Sequence, residues 1–77
     1  MNSQPLDMWV IYDRPSDFPQ GFIARRWEVL REERATDDVL TSDNLEQLRF
    51  TIQREKFCSV VLPRFENDDP KIVEVWM

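Results

Sequence analysis

The stretch MWVIY, residues 8–12, is apolar at every position and rich in β-branched and aromatic side chains, a pattern that predicts a strand. Met8, Val10 and Tyr12 fall on one face of such a strand and Trp9 and Ile11 on the other, so it is apolar on both sides and calls for a cover on each. The following DRPSDFPQG carries Pro15, Pro19 and Gly21, which interrupt helix and ladder alike, and reads as a loop.

GFIARRWEVL, residues 21–30, fits two templates. Ile23, Trp27 and Leu30 have helical spacing, whereas Ile23, Trp27 and Val29 share one face of a strand. The strand is preferred, because Gly21 is a poor helix cap, the segment starts apolar rather than acidic, and a strand here can pair back onto residues 8–12. In that reading Trp27 goes to the interior. Arg25 and Arg26 point to opposite faces, with Glu28 on the side of Arg26 and able to screen it. REERATDD then reads as a polar turn leading into a short strand around Val39 and Leu40.

The clearest periodicity lies in TSDNLEQLRFTIQREKF. Asp43 followed by Glu46 is a helix-start signal, and Leu45, Leu48 and Ile52 form one stripe while Glu46, Arg49, Gln53 and Arg54 fall elsewhere. This predicts an amphipathic helix from Asp43 to Lys56. Beyond it CSVVL reads as a strand stopped by Pro63, RFENDDP as a loop, and KIVEVWM as a final strand that places Trp76 and Met77 in the sheet. Residues 1–77 are expected to form one α+β domain: an antiparallel sheet of four to five strands with one helix packed on one face, in the order ββ(β)αββ.

A chain of 77 residues is near the lower size limit for a single core, so its three Trp and five Phe must supply much of the buried area. Cys58 is the single cysteine, which excludes an intrachain disulfide framework and favours a reducing compartment; the cytoplasm is the expected location. No apolar run approaches the roughly 18 residues of a membrane span, and the start MNSQPLDMW has neither a basic segment nor a long apolar one. Formal charge is −5, which disfavours direct binding to nucleic acid or to anionic lipid. Residues 35–77 hold nine of the acids against five bases, a balance suited to a basic partner.

Histidine is absent, which removes the usual neutral-pH acid/base and the common metal ligand. Cys58, between a helix end and an apolar strand, is expected to be a buried, inert thiol. Glu66, Asp68 and Asp69 could in principle serve a carboxylate- or metal-dependent enzyme, but adjacency alone does not make a site, and ENDDP reads as a solvated turn whose side chains cap local backbone. With Gly21 as the lone glycine, neither a phosphate-binding loop nor a dinucleotide fingerprint can exist. No catalytic residue, cofactor or metal is expected.

Three blocks, MWVIYDRPSDFPQGFIARRWEV, ATDDVLTSDNLEQLR and DDPKIVEVWM, resemble a group of short uncharacterised bacterial proteins. That resemblance covers most of the chain and transfers no site. The order of a strand, a second strand opening with GFIA and a helix carrying NLEQLR is similar to HicB-type antitoxins; the C-terminal strands and the net charge lie outside that similarity.

The functional expectation is a small acidic, non-enzymatic protein-binding module that takes a protein partner or a second copy of itself. Tyr12, Phe18 and Phe22, grouped with Trp27 around the first loop, are the apolar candidates, since aromatic residues are enriched at interfaces. The alternative is an inhibitor of phage or mobile-element type that imitates nucleic-acid charge against a basic machine, with Asp37, Asp38, Glu66, Asp68 and Asp69 as its charges.

Overall fold

A computed structural model describes residues 6–29, 33–56, 58, 60–64 and 69–77. Its elements follow in the order β1 (Leu6–Asp13), β2 (Phe22–Val29), β3 (Glu33–Ser42), α1 (Leu45–Glu55), β4 (Val61–Pro63) and β5 (Ile72–Trp76). The five strands form one antiparallel sheet in the spatial order β3-β2-β1-β5-β4. This is the α+β class and element order expected from the sequence.

The topology explains why one face is covered. β3 and β4 are opposite edges, and α1 is the segment that carries the chain between them. Four strand spacings of about 4.8 Å make a sheet roughly 19 Å wide. Eleven helical residues span roughly 16 Å, so one crossing is long enough to lie over the sheet once. Beneath it Trp9, Ile11, Ala24, Cys58 and Trp76 meet Leu48 and Ile52, with Phe22, Leu40, Leu45 and Val73 packed around them. Ile11, Leu48 and Ile52 are fully buried. Each such side chain contributes roughly 1.5–3 kcal/mol.

The helix begins two residues later than the sequence indicated. Asn44, not Asp43, is the cap: its backbone is extended and its side chain accepts from the Gln47 N–H at 3.2 Å. Ser42 supports the turn, its Oγ accepting from the Asn44 N–H at 3.0 Å. Glu46 still lies in the first turn, where it favours the positive end of the helix.

A second correction concerns residues 33–38, expected in a polar turn and found in β3, which starts at Glu33. An edge strand has solvent along one side, so polar residues are tolerated in it and the hydrophobic alternation disappears. Its pairing with β2 is interrupted: Ala35 lies opposite Trp27 and Val39 opposite Arg25, leaving Thr36, Asp37 and Asp38 to face Arg26 alone. Polar side chains hold this bulge. Thr36 Oγ1 donates to the Arg26 carbonyl at 2.8 Å, and Arg25 donates to the Thr36 carbonyl at 2.8 Å.

Trp27 is the third correction. In β2 the helix-side residues are Phe22 and Ala24, and Trp27 lies with Ile23 on the opposite face. β1 sets this choice, because Trp9 and Ile11 pair across to Arg26 and Ala24, fixing the even-numbered side of β2 beneath the helix.

Candidate functional site

The face turned away from α1 is built from alternate residues of β1, β2 and β5. Met8 pairs with Trp27, Val10 with Arg25 and Tyr12 with Ile23; on the other side of β1, Val10 pairs with Val75 and Tyr12 with Ile72. Ile72 and Val75 reach the same face despite an odd spacing because the β1–β5 register shifts between Ile11 and Tyr12. The residue gained there, Val73, packs on the helix side. β4 adds Leu62, opposite Val75.

The result is a groove of about 390 Å³ lined by Met8, Val10, Tyr12, Trp27, Leu62, Ile72, Val75 and Met77, with Glu33 as the one charged wall among the described residues. Val10 and Ile23 are buried by their neighbours on this face, and the other apolar members are half-buried. The buried Trp27 indole N–H has no hydrogen-bond partner among the described residues. Burial raises the Tyr12 phenol pKa; the nearby Trp27 indole and Arg25 oppose the rise without cancelling it. The indole and the phenol oxygen do not meet within hydrogen-bonding geometry.

Two clusters of charge flank the sheet. On the helix side, past the C-terminal end of α1, Arg26 meets Asp38 at 2.6 Å, Asp7 at 3.0 Å and Glu28 at 3.3 Å, while Arg34 meets the second oxygen of Glu28 at 2.8 Å. These partners, Asp38 first, raise the Arg26 pKa. A guanidinium held by three carboxylates is a poor phosphate ligand. At the loop end of the open face, Asp17, Asp69, Arg25 and Lys71 surround Tyr12.

The residues singled out in the sequence are thereby divided. Tyr12 belongs to the open face, whereas Phe22 packs against the core beneath the helix. Phe18 is half-buried in the β1–β2 loop, its ring against the face of Gly21. Asp37 and Asp38 sit on the β3 bulge, Asp38 engaged by Arg26. Asp69 accepts from the Lys71 N–H at 2.9 Å, capping the turn before β5. Glu66 and Asp68 lie outside the described residues. Among the described residues no three His, Cys, Asp or Glu side chains converge as metal ligands, and no helix is long and apolar enough to cross a membrane.

Cys58 is buried at 4% exposure, and that burial, with the charge of Asp7, pushes its thiol pKa up, away from nucleophilic use. The sequence did not single out Leu62, Ile72, Val75 or Met77 as contact residues. Their signal was present in the near-alternation of KIVEVWM, but the register shift beside Val73 hides which members share a face.

The chain matches no family model, and no curated protein and no solved structure shows significant similarity to it.

Proposed function

We propose that this protein is a small non-enzymatic binding module whose contact surface is the sheet face opposite α1. The observation that carries the reading is one-sided cover: one helix closes over Trp9, Ile11 and Trp76, while Met8, Tyr12, Trp27, Ile72 and Val75 form a second apolar layer that no described element crosses. Apolar side chains grouped in this way mark contact surfaces, with large aromatic residues such as Trp27 and Tyr12 supplying most of the attachment energy.

Charge supports a protein partner over nucleic acid. The formal charge is −5, and Arg25, the arginine of β2 on this face, donates to the Thr36 carbonyl of the same chain at 2.8 Å. The absence of histidine and the burial of Cys58 agree with a module that binds and does not transform its ligand.

The test is site-specific photo-crosslinking in the native cell. A photoreactive residue at Val39, exposed on the open side of β3, yields protein adducts, and one at Gln53, exposed on α1, yields none. Absence of adducts from Val39, or equal yields from both positions, contradicts the reading.

A further inference from the structure

Resting on that reading, we infer that the occupant of the open face is a second copy of the same chain, packed face to face about a two-fold axis at the level of Trp27. The charge pattern carries this. Arg25 lies two residues before Trp27 on β2, and Glu33 of β3 pairs with Val29, two residues after it. Directly paired residues share a face, so Arg25, Trp27 and Glu33 all project to the open side. Cation and anion therefore sit about 7 Å on either side of one tryptophan.

A two-fold axis crossing the strands at Trp27 exchanges these two levels. It brings Arg25 of each copy to the level of Glu33 of the other, one strand spacing of about 4.8 Å to the side, which an arginine side chain spans. Arg25 has donors to spare: one nitrogen donates to the Thr36 carbonyl at 2.8 Å and another lies 3.8 Å from the exposed Asp17, leaving further N–H groups of the guanidinium. The surface is thus complementary to itself: two ion pairs flank an apolar centre of Met8 and Trp27.

The edges of the sheet are poor templates: β3 is broken by the Thr36–Asp38 bulge, and β4 is three residues long and ends in Pro63. Association through the face, with sheets about 10 Å apart, avoids both edges.

The experiment is sedimentation velocity on the purified chain over a wide concentration range, with Arg25→Glu and Glu33→Arg made separately and circular dichroism checking their folds. Wild type converts from a 9.3 kDa monomer to a species of twice that mass. Each single reversal weakens association about tenfold or more, and an equimolar mixture of the two reversals recovers it, since one variant then carries acids at both positions and the other carries arginines at both. A wild type that stays monomeric throughout overturns the inference, as does a mixture that associates no better than its components. Should wild type stay monomeric while Val39 still forms adducts with another protein in cells, the second copy is refuted and the binding reading survives; with no adducts, both fall.

Discussion

Arg49 of α1 holds Glu74 of β5 in a two-pronged grip, Nε to one carboxylate oxygen at 2.9 Å and a terminal nitrogen to the other at 2.7 Å. Glu74 is only 8% exposed and also accepts from the Trp76 indole N–H at 2.6 Å, so a buried charge is fully partnered at the point where helix and sheet meet. Burial pushes the Glu74 pKa up, but the hydrogen bonds from Arg49 and Trp76 and the Arg49 charge outweigh it, and the carboxyl titrates below the ordinary range.

A lowered carboxyl pKa fixes the sign of an acid effect. Stability linked to Glu74 is fully present above the unfolded value of about 4.3 and is lost as pH falls through the lower folded value. Glu74→Gln, which leaves Arg49 without its counter-charge, is expected to destabilise the fold at pH 7 by about 2–4 kcal/mol. Urea melts of both proteins from pH 7 to pH 3 check this, the gap narrowing in the acid limb. A pH-independent gap contradicts the assignment.

Gly21 is needed for proximity. A Cβ at this position would lie 2.6 Å from the Ser42 carbonyl oxygen and 2.9 Å from the Asp43 Cα, both main-chain atoms. Gly21→Ala must push the β1–β2 loop away from the turn that starts α1, at a cost of about 1–3 kcal/mol. Thermal melting reads the loss; an unchanged midpoint shows that the two segments are not in contact.

The last strand is inside the sheet, between β1 and β4, and Trp76 is buried against Trp9. Deleting Trp76 and Met77 removes a core ring as well as the paired bonds between Met77 and Val60, at 2.9 and 3.1 Å. The shortened chain is expected to be unfolded at 25 °C, since burial of one Trp is worth about 3–5 kcal/mol and small domains hold little more. A cooperative melt in the truncated chain contradicts this placement.

Asp37 and Asp38, adjacent acids that suggest a charged recognition surface, occupy a bulge that interrupts an edge strand. Replacing both with Val restores an apolar, pairable edge, and the expected outcome is a folded protein that grows into large assemblies, detected by light scattering. A double variant as monodisperse as wild type shows that the acids do not guard the edge.

The helix was legible because Leu45, Leu48 and Ile52 keep their spacing against polar neighbours, and β1 because its apolar run is uninterrupted. The start of β3 was not, since an edge strand has no alternation to display. Trp27 illustrates a different limit. Ile23 and Trp27 make the odd side of β2 look like the interior, yet the side that the helix covers is decided by Trp9, Ile11 and Trp76, which lie on other strands. Register, a non-local property, chose between two plausible faces. For the candidate surface, the sequence exposed the double-sided character of β1, while the contribution of β5 depended on a register shift that single-residue spacing conceals.

Met8→Lys tests most directly whether the face beyond α1 is an outer contact surface. Met8 is half-buried opposite Trp27, and a lysine stem can follow the path of the methionine with its charge in water. Sedimentation and urea unfolding of the same sample should show a fold within about 1 kcal/mol of wild type and an association weakened at least tenfold. An unfolded Met8→Lys chain, or one that associates as wild type does, contradicts the claim.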